Sequence, residues 1–210
     1  MKQKLIERWE AEGIVHNKEI IKAFKKIKRE QFIPKEMKDQ AYGDYPLPIG
    51  CEQTISQPST IVFMLELLDL KPGQKVLEIG SGSGYNSALI AQIVGNEGEV
   101  ITVDVHVDLV EKAKKNLKKA NIRNVKVVLA DGSLGYKEEA PYDRIIATCA
   151  CPDIPKPWEK QLRVSGIIVA PVGNYNTQEM VRLKKTRSKL QIETYGYFRF
   201  VPLKGKYGFR

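Results

Sequence analysis

The run Gly80-Ser81-Gly82-Ser83-Gly84 follows the apolar stretch Val76–Ile79 and opens a second apolar stretch of helical period. Glycine is required where a backbone turns sharply and lets a ligand come close, so this turn is expected to hold a nucleoside-bearing cofactor. A G-x-G alone is a weak signal, and its place directly after a strand strengthens it. The spacing is G-x-G-x-G rather than the dinucleotide pattern G-x-G-x-x-G, and Glu78 stands just ahead of the turn. A carboxylate there sits badly beside a pyrophosphate and well beside a sulfonium cation. Asp104, closing the next strand pattern, is placed to accept hydrogen bonds from both ribose hydroxyls; the alternative is a solvated strand-end acid. Asp131, followed by Gly132 after the third strand pattern, is placed to bond an adenine amino group. A different chemistry is suggested by Gln53-Thr54-Ile55-Ser56-Gln57-Pro58, which runs into a helix. The hydroxyls of Thr54 and Ser56, with the free N–H groups of the helix start, would make an anion site. The alternative is that Ser56 or Gln57 simply caps the helix.

Positioning these groups takes an alternation of strands and helices. Lys75–Ile79, Glu99–Val103, Val125–Leu129, Arg144–Thr148 and Ile167–Val172 read as strands, Tyr85–Val94 and Val107–Ala120 as helices, and Trp158–Leu162 as part of a short helix. Pro58 suits the first residue of a helix whose apolar face is Ile61, Met64, Leu65 and Leu68. Near-continuous apolar strands separated by helices imply an α/β fold with a doubly wound, mostly parallel sheet covered on both faces. The tail differs: Met180–Lys185 and Leu190–Val201 are strands joined by a turn at Thr186-Arg187-Ser188-Lys189, an antiparallel hairpin closing one sheet edge. At the other end, one helix carries Leu5, Ile6 and Trp9, and a second, capped by Asn17, carries Ile20, Ile21, Phe24 and Ile27 until Pro34 stops it. Residues 35–57 show no sustained period and read as a long structured loop. A single domain is expected over residues 1–210, with a helical and loop extension to residue 57, a cofactor-binding core over 58–175 and C-terminal strands forming a substrate edge over 176–210.

Composition excludes some classes. The chain has 210 residues, of which 42% are hydrophobic and 28% charged, ordinary values for a globular protein. No apolar run approaches the roughly 18 residues of a membrane span, and the charged N-terminus lacks a signal-peptide core, so a cytoplasmic protein without membrane association is expected. Cys51, Cys149 and Cys151 are an odd set without a CxxC pair, and only two histidines accompany them; they are expected to be plain small side chains, and no metal site is expected. The net charge of +9 fits either an acidic partner such as nucleic acid or a lysine-rich solvated surface. The lysine clusters at 22–29 and 112–119 fall between apolar positions of helical patterns, which favours the solvated surface and makes nucleic acid an unexpected partner.

Several segments then fall in a familiar order: Arg29-Glu30-Gln31-Phe32-Ile33-Pro34, Pro46-Leu47-Pro48-Ile49-Gly50, Thr54-Ile55-Ser56-Gln57-Pro58, Leu77 to Tyr85, Asp131-Gly132, Ala140-Pro141-Tyr142-Asp143, Pro171-Val172-Gly173 and Phe200-Val201-Pro202-Leu203. Together they resemble the protein-L-isoaspartate O-methyltransferases over almost the whole chain. The glycine turn is shared by many methyltransferases; the Thr54–Pro58 segment with the Val201-Pro202-Leu203 tail is far more specific. The resemblance implies a class I, Rossmann-like fold that uses S-adenosyl-L-methionine and releases S-adenosyl-L-homocysteine. It implies methylation of the free α-carboxyl of L-isoaspartyl residues in damaged proteins and peptides, initiating repair through a succinimide. A monomer is expected, although the sequence does not fix the oligomeric state. Carried over position by position, the resemblance makes Ser56 the active-site serine. Gln53, Thr54, Ile55, Glu78, Gly80, Ser81, Gly82, Asp104, Val105, Asp131 and Gly132 become cofactor positions, and Thr54, Ser56, Ser59, Val201, Pro202 and Leu203 substrate positions. Four positions depart from the family's pattern: Ser59 stands where an aromatic residue or histidine is common, Asn86 where glutamine is commoner, and Cys149 and Cys151 where alanine or glycine is ordinary. The main rival is an RNA methyltransferase. Against it, the fourth strand ends Thr148-Cys149-Ala150-Cys151, neither an Asn-Pro-Pro-Tyr type loop nor a Pro-Cys dipeptide. A cofactor-binding sensor and a nicotinamide dehydrogenase are further rivals, the latter disfavoured by the glycine spacing and Glu78.

Overall fold

In the computed structural model, which describes residues 1–209, seven strands form one sheet around which the helices pack. Arg210, the last residue of the expected C-terminal segment, lies outside the described residues. Helices α1 (Lys2–Ala11) and α2 (Lys18–Lys26) come first. The Asn17 side chain accepts from the Glu19 N–H and caps α2 as its residue type suggests. The chain leaves α2 at Ile27, ahead of Pro34, and continues through short 3-10 turns at Arg29–Gln31 and Lys35–Gln40. Within the stretch expected to be a long structured loop, residues 35–57, the chain forms a β-ribbon, β1 (Leu47–Gly50) against β2 (Gln53–Ile55). Its two-residue turn is Cys51-Glu52, both at positive φ, +53° and +58°. Such turns are normally marked by Asn-Gly or Asp-Gly, so the hairpin carries no recognisable turn signal.

From α3 (Pro58–Leu68) onward the alternation is regular: β3 (Lys75–Ile79), α4 (Tyr85–Val94), β4 (Glu99–Asp104), α5 (Val107–Lys119), β5 (Val125–Leu129), β6 (Tyr142–Ala147), α6 (Lys156–Gln161), β7 (Leu162–Gly173), β8 (Gln178–Lys185) and β9 (Leu190–Phe198). The sheet order is β5-β4-β3-β6-β7-β8-β9. The first five strands are parallel, and β8 and β9 are antiparallel to their neighbours. The Thr186–Lys189 turn closes by a 2.9 Å backbone bond. Because β4 and β5 lie on one side of β3 and β6 and β7 on the other, the chain reverses direction between β3 and β6. Open α/β sheets bind ligands at the carboxyl end of such a switch point, and the glycine turn after β3 lies there.

Strand residues alternate between two cores. Val76, Val100, Ile146 and Val169 face α1–α4 and α5; Leu77, Ile101, Ile145 and Ile168 face Trp158 of α6 and Tyr142. The N-terminal helices belong to the first core. Trp9 packs edge-on against Phe24 with ring centroids 4.7 Å apart, an arrangement that adds to the area term. No described helix is long and apolar enough to cross a membrane.

Leu65 of α3 is wholly buried in the first core. Leu65→Ala should cost about 2–5 kcal/mol and lower the thermal midpoint by roughly 4–20 °C for a chain of this size. A midpoint within about 2 °C of the parent's would show that α3 is not anchored as described.

Candidate active site

The turn after β3 is drawn tight by its neighbours. The Gly80 and Ser81 N–H groups both donate to the Val103 carbonyl, and the Thr148 N–H donates to the Ile79 carbonyl. The Thr148 hydroxyl lies 2.8 Å from the Gly80 carbonyl. Gly80 has φ +95°, and a Cβ there would meet Thr148 Oγ1 at 2.6 Å, so only glycine fits. Beyond the turn, Asn116 of α5 donates to the Ser83 carbonyl at 3.0 Å.

Asp104, at the end of β4, bridges the turn to the next loop. Its carboxylate accepts from the Gly82 N–H and the His106 N–H, both at 3.0 Å. The Gly82 N–H, which a dinucleotide turn would offer to a phosphate, is thus already engaged by an acid. The free lone pairs of Asp104 face a cleft that opens to solvent. Gln53, Thr54, Gly80, Gly82, Val105, Leu109, Gly132, Cys149 and the tail residues Val201–Lys204 complete its wall. Bare glycine backbone on one side, an acid with spare acceptor capacity on the other and apolar Val105 and Leu109 between fit a nucleoside without phosphates.

A second, wider cleft is lined by Ser56, Gln57, Thr60, Phe63, Tyr175 and Tyr197. The two clefts share four residues, Thr54, Thr148, Val201 and Pro202. Ser56 stands on the second side of that boundary, half-buried. The N-cap of α3 is Gln57, and no side chain caps it. The capping alternative for Ser56 therefore falls away. Its hydroxyl takes no partner among the described residues, while its carbonyl is held by Arg29 Nη1 at 2.9 Å. The ribbon that delivers Thr54 and Ser56 is clamped by Lys112 of α5, whose Nζ donates to the Ile49 carbonyl at 2.8 Å. The tail is fixed in turn by Ala150, which donates to the Val201 carbonyl and accepts from the Leu203 N–H.

Other positions expected to touch ligand have their side chains placed as follows. Glu78 lines neither cleft: it is wholly buried beneath the turn, accepting from Asn86 Nδ2 at 2.8 Å, from Thr102 Oγ1 at 2.6 Å and from Ser87 Oγ. Asn86, the departure from the commoner glutamine, is thereby explained as a partner of Glu78. The carboxylate that faces the first cleft is Asp104. Ser81 is 4% exposed, its hydroxyl 2.9 Å from Thr102 Oγ1, so only its backbone borders ligand space. Ile55 is a core side chain, 5% exposed, over a small cavity beneath Ser56. Asp131 is turned to the tail: it accepts from Ser133 N and Oγ and from the Lys206 N–H at 2.9 Å. Gly205 passes so close that a Cβ there would sit 1.9 Å from Asp131 Oδ1. Leu203 lines the first cleft rather than the wider one. Ser59 borders the wider cleft, but its hydroxyl donates to Asp44 at 2.7 Å and accepts from Arg8 and Trp9 Nε1. It has no capacity left for substrate and instead ties α3 to α1. Thr148, Leu109, Phe63 and Tyr197 were missed because a lone threonine at a strand end and scattered aromatics carry no spacing signal. Burial pushes the Cys149 thiol well up and the Cys151 thiol up to about 12, so both act as packing groups.

The family model described as protein-L-isoaspartate(D-aspartate) O-methyltransferase (PCMT) matches residues 1–208. A protein-L-isoaspartate O-methyltransferase of Methanothrix thermoacetophila is 47% identical over 191 residues, 91% of this chain and 90% of that protein. A solved protein-L-isoaspartate O-methyltransferase superposes with TM-score 0.87 at 33% identity, covering 99% of this chain and 67% of its own. A Plasmodium falciparum structure described as a protein-L-isoaspartate O-methyltransferase, in complex with S-adenosyl-L-homocysteine, shares the fold with TM-score 0.84 at 24% identity, covering 96% and 97%.

Two measurements check this geometry. Burial outweighs the three donors and raises the Glu78 carboxyl to about 7 from 4.5. The folded state therefore holds a proton that the unfolded state has lost between those values, and stability falls as pH rises through that window. Relative to Glu78→Gln, the parent's unfolding free energy should drop by about 3 kcal/mol from pH 4.5 to 7; a rise would contradict the burial account. Asp104→Ala should weaken S-adenosyl-L-homocysteine binding at least about tenfold, since hydrogen bonds to a charged group are worth about 1.5–3 kcal/mol. Unchanged affinity by calorimetry would refute its role.

Proposed function

The chain belongs to the protein-L-isoaspartate(D-aspartate) O-methyltransferase family, and from that premise we propose how its two clefts divide the work. The activity is S-adenosylmethionine-dependent methylation of the free α-carboxyl of L-isoaspartyl residues, the opening step of repair. The finer assignment is ours: isoaspartyl proteins and peptides enter the wider cleft, Ser56 receives their α-carboxylate, and the cleft beside Asp104 holds the cofactor. The observation that carries it is the shared boundary at Thr54, Thr148, Val201 and Pro202, where a group beside Ser56 meets whatever occupies the cofactor cleft. The N-terminal helices share the first core, which supports reading the chain as one domain.

When bound, S-adenosylmethionine supplies a methyl group on a sulfonium centre. The residues of the chain do the rest by placement. The acceptor is a carboxylate, already ionised at neutral pH, so no general base is required. Ser56 offers an uncommitted hydroxyl to orient one carboxylate oxygen. Thr54 and Thr148 border both sides of the transfer path with short polar side chains. Asp104 aligns the nucleoside by its ribose, and Val201 and Pro202 wall off the peptide side. Charge is neutralised as the methyl moves, so tight gripping of the anion would stabilise the ground state most. A single neutral donor combined with good alignment suits this chemistry better than a cluster of cations.

Ser56→Ala should slow transfer about 5- to 150-fold, the effect of roughly 1–3 kcal/mol, with S-adenosyl-L-homocysteine affinity kept. Parental turnover in that variant would remove Ser56 from the mechanism. An assay of methyl transfer to an isoaspartyl peptide, its aspartyl twin and RNA checks the acceptor; transfer to RNA alone would overturn the assignment.

A further inference from the structure

Buried polar atoms without a partner are rare in folded proteins, and each calls for a reason. Among the described residues the side chains that leave such atoms are Arg29, at Nε and Nη2, and Tyr85, at its hydroxyl. Both are in one place. Arg29 is wholly buried and its guanidinium lies 5.5 Å from the centroid of the Tyr85 ring. Tyr85, itself buried, lines the small cavity beneath Ser56. The bond that Arg29 does make goes to the Ser56 carbonyl.

An arginine keeps its proton inside proteins, so a full positive charge is stored behind Ser56. No acid forms a direct ion pair with Arg29: Asp44, which acts on it at longer range, has its oxygens engaged by Arg8 and Ser59, and Glu30 is bound by the Tyr42 hydroxyl. Holding a cation out of water with no direct ion-pair partner is costly, and the cost is explained if a further counter-charge arrives with the substrate. The backbone adds a second effect. A trans peptide unit points its C=O and N–H in opposite directions. With the Ser56 carbonyl turned in to Arg29, the Gln57 N–H is turned the other way, and Ser56 and Gln57 both line the acceptor cleft.

We propose that Arg29 is a positioning residue for methyl transfer: from behind Ser56 it orients the Ser56–Gln57 peptide and supplies a positive charge, held in no direct ion pair, that selects a carboxylate acceptor over a neutral one. This rests on the assignment of Ser56 to the acceptor carboxylate. The attraction is strongest before transfer, while the carboxylate is fully charged, so it governs KM more than kcat.

The test uses the full chain, as parent, Arg29→Met and Arg29→Lys, with an isoaspartyl peptide as substrate and the same peptide carrying an α-amide as competitive inhibitor. S-adenosyl-L-homocysteine binding by calorimetry reports whether the cofactor side is intact. In Arg29→Met the account expects about a tenfold rise in KM, kcat within about threefold, unchanged S-adenosyl-L-homocysteine affinity and loss of the preference for carboxylate over amide. Arg29→Lys, which keeps the charge, should recover much of that preference. KM within twofold of the parent in Arg29→Met overturns the proposal, as does an equal loss of cofactor affinity and kcat, the signature of a merely structural residue. The parent alone also tests it: equal binding of the carboxylate and amide peptides overturns it without any variant. A parent that methylates no isoaspartyl peptide refutes the acceptor assignment itself, whereas a normally active parent with an indifferent Arg29→Met refutes only the role of Arg29.

Discussion

At residue 80 the Thr148 hydroxyl occupies the space where a side chain would begin, and both clefts are built outward from that contact. It ties the end of β3 to the end of β6 across the point where the sheet reverses direction. On one side it leaves bare glycine backbone for a nucleoside; on the other it presents Thr148 to the acceptor cleft. The turn is further held by the Val103 carbonyl and by the Asp104 carboxylate on the Gly82 N–H. A tight turn at a parallel-sheet switch point is thus the element that places the two clefts next to each other.

Charge is distributed around that contact according to need. Asp104, with acceptor capacity to spare, faces the cofactor side. Glu78 is sealed below the turn with donors from α4 and β4, and burial raises it toward neutrality, so its work is to lock α4 to the sheet. The acceptor side carries hydroxyls and aromatic rings at its surface, with the Arg29 cation one layer behind. An enzyme that transfers a methyl from a cation to an anion gains little from binding either charge too tightly. One acid at the ribose and one recessed cation satisfy that constraint.

Much of this was legible in the sequence. Period and punctuation located the strands and helices of the α/β core, because near-continuous apolar strands between amphipathic helices have few other solutions. The Asn17 cap and the Pro58 start are local chemistry and read directly. The β1–β2 ribbon was not legible because its turn, Cys51-Glu52, adopts a left-handed geometry that its residue types do not advertise. Within the site, Gly80, Gly82 and Asp104 were readable as positions in a motif. Which way an acid points was not: Glu78 and Asp131 sit at the right strand ends, yet one is claimed by Asn86, Ser87 and Thr102 and the other by the tail at Lys206. Those partners are distant in sequence or depend on side-chain packing, and a linear pattern does not encode them. Arg29 was visible only as part of a family signature; its lack of a direct ion pair is a property of the folded state.

The most direct test of the account is a crystal structure of the protein with S-adenosyl-L-homocysteine and an isoaspartyl peptide bound together. The account predicts the nucleoside in the cleft beside Asp104 and the peptide α-carboxylate on the Ser56 hydroxyl. One carboxylate oxygen should face the sulfur across the boundary formed by Thr54 and Thr148. A carboxylate lodged away from Ser56, or a nucleoside outside the Asp104 cleft, would contradict it.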